Sequence, residues 1–268
     1  MLTIRDLTVS ITGRRTAVEI LHGVSFDVEK GEAVGLVGES GSGKSMTLRS
    51  ILRTEPSNSR TTGQILLDGI DVHALRAEPL RRMRANDVSM IAQNPHAVLN
   101  PVLPIERYLI EGMHDAQGLP VRDARRRAGE LLEQVGIDAV DRVLRSYPHQ
   151  LSGGMLQRVV IAGAIAGKPK LMLADEPTTA LDVTTQAEVM AILDDCRRDL
   201  GMTMLFVTHD LDLAAAVCDR INVMKDGVIV ETGVPAQLRD DPQHPYTKLL
   251  MDSRPAGLSW PAGGGERA

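Results

Sequence analysis

The sequence predicts an α/β protein whose largely parallel sheet is covered by helices. Three observations predict it. Apolar runs at Ala33–Val37, Leu171–Asp175 and 204–207 are short and continuous, as strands buried on both faces are. Helical stretches alternate with them, at 44 to about 53 and 183–200. A glycine-rich turn joins the first run to the first of these helices.

The elements follow in order. Leu2, Ile4, Leu7 and Val9 roughly alternate, as do Val24, Phe26 and Val28, so the opening residues read as strands of an N-terminal antiparallel β subdomain. Residues 63–69, GQILLDG, read as a strand closed by an Asp-Gly turn, and 88–92 as another short strand. Between about 95 and 165 the β runs give way to helical periodicity, as at Leu131, Leu132 and Val135. This stretch predicts an inserted α-helical subdomain. The last 18 residues, 251–268, are rich in Gly and Pro and predict a loose tail beyond a domain of residues 1–250.

Composition narrows the function. The 268 residues include 30 Lys plus Arg and 35 Asp plus Glu, a net charge of -5, which argues against a nucleic-acid binder working through bulk positive charge. Aromatics make up only 2% of the chain, so the core is aliphatic and stacking platforms for single strands are not expected. Cys196 and Cys218 are too few for a disulfide scaffold or a four-Cys metal site and read as reduced packing residues. No apolar run reaches the roughly 18 residues that span a membrane, and the first ten residues lack an apolar signal core. A cytosolic chain is expected, with any membrane role arising through a partner.

Gly38-Glu39-Ser40-Gly41-Ser42-Gly43-Lys44-Ser45 fits G-x-x-x-x-G-K-[ST], between a buried strand and a helix. Its glycines let backbone N–H groups and the helix N-terminus face a phosphate chain. Lys44 can reach the β and γ phosphates, and the Ser45 hydroxyl can ligate Mg²⁺. Downstream, the apolar strand 171–175 ends in Asp175 and Glu176. Asp175 suits the Mg²⁺ hydration shell and Glu176 suits the polarisation of an attacking water. Together they predict a P-loop NTPase core using ATP and Mg²⁺.

Leu151-Ser152-Gly153-Gly154-Met155-Leu156-Gln157-Arg158 supplies a second anion cradle, a serine hydroxyl and glycine N–H groups at a helix start. With it the chain resembles the nucleotide-binding subunit of an ABC transporter, from residue 1 to about 250. The resemblance implies a RecA-like mixed sheet with helices and a head-to-tail dimer. Each ATP then lies between one phosphate loop and the partner's Ser152, Gly153 and Gly154. Gln93 resembles the Q-loop glutamine, which contacts Mg²⁺ and senses the transmembrane partner. Thr179-Ala180-Leu181-Asp182 resembles the D-loop, and His209 the switch histidine at the γ-phosphate. In the family an aromatic stacks on adenine upstream of the phosphate loop. Here that place falls near Arg15, in a run with no aromatic, and an Arg plane or Val18 is the expected cover.

Gln93-Asn94-Pro95, Leu99-Asn100-Pro101 and the 241–250 stretch with His244-Pro245-Tyr246-Thr247 resemble the peptide and nickel importer branch. That branch implies a second, non-identical ATP-binding subunit, two integral-membrane permease subunits and an extracytoplasmic solute-binding protein. It places the chain peripherally on the cytoplasmic face of a bacterial inner membrane. Peptides, nickel, metallophores and opines are all open as solutes. The His244–Thr247 motif also reads as a Pro-started helix packing on the sheet, a mark of ancestry more than of chemistry. With no cysteine after Cys218, an iron–sulfur cluster there is not expected. The apolar run at 95–109 has two readings, subdomain core or a groove for a partner helix. Glu176 and His209 weigh against a non-catalytic partner in an asymmetric pair. The length leaves no room for the twin cassettes or long coiled coil of soluble non-transport ABC proteins.

Overall fold

A computed structural model describes residues 1–13, 16–116, 118–179 and 181–252. The chain divides into two compact units, Met1–Leu75 with the chain from Met204 onward, and Arg76–Thr203.

The first unit opens with β1 (Leu2–Thr12), β2 (Ala17–Val28), β3 (Ala33–Val37), α1 (Lys44–Leu52), β4 (Ser59–Leu67) and β5 (Ile70–Asp71). Strands β2-β1-β4-β5 form an antiparallel sheet. The buried positions of β1 change phase, from Leu2 and Ile4 to Leu7 and Val9, because the register slips between Ile4 and Leu7. Asp6 sits in this bulge at φ +48°, and a Cβ on Gly63 opposite would lie 2.4 Å from the Asp6 carbonyl oxygen. The imperfect alternation in the sequence is therefore a bulge, not a weak strand. The Asp68-Gly69 turn joins β4 to β5 with both residues at positive φ, as a tight hairpin requires.

The second unit contains α2 (Ala77–Asn86), β6 (Val88–Ile91), α3 (Pro95–Val98), α4 (Ile105–Glu111), α5 (Val121–Gln134), α6 (Val140–Arg145), α7 (Gly153–Ile165), β7 (Leu171–Asp175) and α8 (Val183–Leu200). Strands β6 and β7 pair in parallel. Helices α3 to α7 occupy the stretch where β runs fail in the sequence. Ala124, Ala128, Leu131 and Leu132 line the buried face of α5, at the i, i+4, i+7, i+8 spacing of an amphipathic helix.

The chain returns to the first unit through β8 (Thr203–Thr208), α9 (Leu211–Val217), β9 (Arg220–Lys225), β10 (Val228–Gly233), α10 (Pro235–Asp240) and α11 (Pro245–Asp252). Here β8, β3 and β9 run parallel, and β10 closes the edge antiparallel to β9. All residues of β3 and β8 are buried, which accounts for their unbroken apolar runs. The β9–β10 hairpin was not anticipated from the sequence. Its Asp226-Gly227 turn, at φ +46° and +77°, is the same signal that marks β4–β5. Helix α11 extends to Asp252, two residues past the expected domain end, and the rest of the expected tail lies outside the described residues. Both cysteines are buried and outside any disulfide, and burial pushes the Cys196 thiol up to about 11, so it stays protonated and serves as packing.

Phe206, at the centre of β8, is fully buried. Phe206→Ala is expected to cost about 3–5 kcal/mol through lost burial and the cavity it leaves. Urea unfolding of the two proteins would show this as a lower midpoint.

Candidate nucleotide site

In the first unit, the loop between β3 and α1 is built by exclusion. A Cβ on Gly38 would lie 2.1 Å from the Met224 carbonyl oxygen, so only glycine fits where the loop passes β9. Gly43 caps α1 at φ +107°, a conformation closed to other residues without strain. The hairpin turn supports the far side, with Gly227 N–H donating to the Ser42 carbonyl at 3.0 Å. Glu39, Ser40 and Gly41 lie exposed, Gly41 at φ +87°.

Lys44 is only 5% exposed. Its ammonium donates to the carbonyls of Gly38 at 2.7 Å and Glu39 at 2.8 Å, so the loop wraps back over its own lysine. Ser42 is buried, and its Oγ finds no hydrogen-bond partner among the described residues. Ser45, one residue on, is exposed at the start of α1. A closed lysine, an orphan hydroxyl and glycines that leave the backbone bare fit a polyphosphate. His209 lies exposed just past β8. The next residue, Asp210, caps α9 by accepting the N–H groups of Asp212 and Leu213.

In the second unit, Asp175 ends β7 buried and Glu176 follows at φ +45°. The reversal turns Glu176 out of the strand line. Its Oε2 accepts Gln93 Nε2–H at 3.2 Å and Thr179 Oγ1–H at 2.9 Å. Gln93, just past β6, and Glu176, just past β7, thus meet where two paired strands end side by side. The Thr179 contact was not anticipated. Its signal was a hydroxyl three residues beyond the acid, in a turn where Thr179 Oγ1 also donates to the Glu176 carbonyl.

Ser152 is exposed and caps α7, its Oγ accepting Met155 N–H at 3.3 Å. Gly153 and Gly154 form the first turn of α7, and a Cβ on Gly154 would lie 2.6 Å from Thr185 Cγ2 on α8. Asp182 caps α8 by accepting both the N–H and the Oγ1–H of Thr185, at 3.0 and 2.8 Å. Those two bonds hold its carboxyl below the usual range. Two capped helix starts, Ser152 and Asp182, therefore stand together. Arg158 anchors α7 further along, donating to the Gly136 carbonyl at 3.1 Å and to Glu188 at 2.8 Å. The Arg15 position proposed for the adenine lies outside the described residues. Val18, the other candidate there, is 55% exposed on β2.

Residues 21–179 match the family model described as ABC transporter. The chain belongs to the ABC transporter family. It is 49% identical over 260 residues to the peptidoglycan transport ATP-binding protein YejF of Agrobacterium fabrum, covering 96% of this chain. The chain spans about half of that protein's length (47%). It is 41% identical to the oligopeptide transport ATP-binding protein OppD of Bacillus subtilis, covering 95% of this chain and 72% of that one. Among solved structures, a dimeric post-hydrolysis state of the ATP-binding cassette MJ0796, bound to ADP and Pi, matches with a TM-score of 0.78 at 29% identity. It covers 88% of this chain and 99% of that one. The fold is the P-loop NTPase fold of ABC ATPases.

Thr179→Val keeps the shape and removes the donor to Glu176. We expect hydrolysis with the partner subunits to fall about ten-fold, since a hydrogen bond to a carboxylate is typically worth about 1.5–3 kcal/mol. ATP affinity should hold. Steady-state phosphate release together with nucleotide titration would check both.

Proposed function

We propose that this chain is the ATP-hydrolysing subunit of a peptide importer, bound peripherally to the cytoplasmic face of two membrane subunits. The observation that carries this reading is the Gln93–Glu176 hydrogen bond at 3.2 Å, which ties the water-polarising acid to the residue leading into α3. Among the described residues no helix is long and apolar enough to cross a membrane. The relatives' names, among them an oligopeptide transport protein and a putative peptide import protein of Brucella abortus at 44% identity, favour peptides over nickel or opines.

Lys44 and the loop N–H groups hold the phosphates. Glu176 takes the proton of the attacking water, and His209 contacts the γ-phosphate. Ser152, Gly153 and Gly154 close the site of a second ATP-binding subunit, non-identical by the habit of this branch, and Asp182 lies beside them. The Ser45 hydroxyl, the Gln93 amide oxygen and the Asp175 carboxylate are hard oxygen donors suited to Mg²⁺. No cluster of three or more His, Cys, Asp or Glu able to cage a metal occurs among the described residues. When bound, Mg²⁺ offsets charge on the β and γ oxygens.

The apolar run at 95–109 divides. Leu99, Ile105 and Leu109 are buried as core, whereas Leu103 is 37% and Val102 74% exposed. Val98, Leu103, Tyr108 and Pro148 line a pocket on the surface of the second unit. This supports both earlier readings at once: a core row, and beside it a groove for a short helix of a membrane subunit.

Assembly with the membrane subunits and the solute-binding protein tests the function. Peptide should stimulate hydrolysis, and Glu176→Gln should lower it about 10²–10⁴-fold while ATP still binds. Hydrolysis near the normal rate in Glu176→Gln would remove Glu176 as the base. Stimulation by nickel but not by peptide would overturn the solute class.

Val98→Asp with Leu103→Asp should abolish co-purification of the membrane subunits while nucleotide binding persists. Unfolding would return these positions to the core, and unchanged assembly would place the contact elsewhere.

A further inference from the structure

The His244–Thr247 stretch is absorbed by nothing in the function described so far, yet the structure sends it to the phosphate loop. Glu231, on β10, accepts the N–H groups of Gln243 at 2.8 Å and His244 at 3.0 Å, fixing the entry to α11. Those two backbone donors hold the Glu231 carboxyl below its usual range against the opposing effect of burial. Pro245 opens the helix, where its missing N–H costs nothing. His244 Nδ1 lies 3.2 Å from the Tyr246 N–H and accepts it. Tyr246 is thereby delivered inward and is 4% exposed, with the Lys225 ammonium 4.9 Å from its ring centroid.

The phenol oxygen of Tyr246 accepts the N–H of Glu39 at 3.0 Å, across 207 positions of sequence. That N–H belongs to the peptide unit joining Gly38 to Glu39. The carbonyl of the same unit, on Gly38, accepts the Lys44 ammonium at 2.7 Å. A peptide unit is planar, so its N–H and C=O point in opposite directions and turn together. Holding the N–H aims the carbonyl, and the carbonyl places the ammonium. Hydrogen bonds on the two sides of one amide also polarise one another. Burial and the nearby Glu39 carboxylate raise the phenol's pKa, so the group is neutral under physiological conditions.

We propose that Tyr246 is a positioning residue for nucleotide binding: its phenol oxygen locks the Gly38–Glu39 peptide that sets the Lys44 ammonium against the phosphates. The proposal rests on Lys44 being the phosphate-binding lysine. It gives α11 a role in the chemistry of the loop that packing on the sheet does not require. The loop is then held from three directions. Met224 closes on Gly38, the Gly227 N–H holds the Ser42 carbonyl, and Tyr246 holds the exposed first peptide.

The test compares Tyr246→Phe with Lys44→Ala in the full chain. Phenylalanine keeps the buried ring and its contact with Lys225 and removes only the acceptor. Titration with a fluorescent ATP analogue, and with ADP, should show about three- to ten-fold weaker binding of both nucleotides, the range expected for one lost hydrogen bond. In the assembled ATPase the KM for ATP should rise by a similar factor with kcat held. Binding unchanged in Tyr246→Phe but lost in Lys44→Ala overturns the proposal and leaves the nucleotide reading intact. Binding unchanged in both overturns the nucleotide reading itself. A lower kcat at unchanged KM means only a smaller folded fraction, and overturns the positioning role. Should Tyr246→Phe fail to fold, amide exchange at Glu39 in the unaltered, nucleotide-free chain decides. Slow exchange supports the lock, and exchange at the rate of an open loop overturns it.

Discussion

The first unit is organised around a buried cation. Lys44 places an ammonium where only 5% of the residue reaches solvent, and a buried charge without partners costs several kcal/mol. The carbonyls of Gly38 and Glu39 meet that cost, and they point inward only because the chain turns sharply there. The turn in turn demands glycine against Met224 and a left-handed Gly43 at the helix start. The motif spacing is thus the record of one geometric problem: wrapping a backbone around a lysine while leaving N–H groups facing outward. The strands β3 and β8 are fully buried and β9 is buried from Ile221 to Met224, so they supply a platform that does not yield when the loop is loaded.

The second unit solves a different problem, that of aiming a carboxylate. Glu176 follows a fully buried strand whose next residue, in regular extension, would continue the strand line. A positive φ breaks that line, and strain of this kind persists only where neighbours hold it. Gln93 and Thr179 are such neighbours, and both donate to the same oxygen. Gln93 also stands one residue before Asn94, which caps α3, and α3 carries Val98 to the edge of the apolar pocket. Within one unit, therefore, one hydrogen bond and a few residues of backbone connect the acid to the surface that a membrane subunit is proposed to grip.

Local features were legible in the sequence and long-range ones were not. The 183–200 helix was readable because its ends carry their own signals, Asp182 before it and a left-handed Gly201 after it. The phosphate loop was readable because its glycines are set by local sterics. The β9–β10 hairpin carried its turn signal too, but β10 has neither a buried run nor a buried alternation to mark it as a strand. Two features lay beyond any local pattern. Leu99 and Leu103 are chemically alike and both line the pocket, yet Leu99 is buried and Leu103 is 37% exposed; only the packing around α3 and α4 decides which. Tyr246 reads locally as one more residue of a Pro-started helix, and its partner lies in the phosphate loop. A motif that looks like ancestry in one dimension is a contact with the nucleotide loop in three.

The two anion cradles differ in how finished they are, and the difference fits their roles. The phosphate loop is closed, glycine-locked and braced, so it is organised before ligand arrives. The Ser152 cradle is exposed, and its hydroxyl is occupied only by a 3.3 Å bond to the first turn of its own helix, at the long end of the useful range. Such a bond is readily exchanged for a stronger one to a charged oxygen. Next to it stands Asp182, a carboxylate that disfavours a lone anion at the two helix starts. A cradle so arranged binds free phosphate poorly and becomes favourable when the anion is brought by a partner whose own charges accompany it. The asymmetry fits the proposed division of labour, in which one chain captures the nucleotide and two chains hydrolyse it.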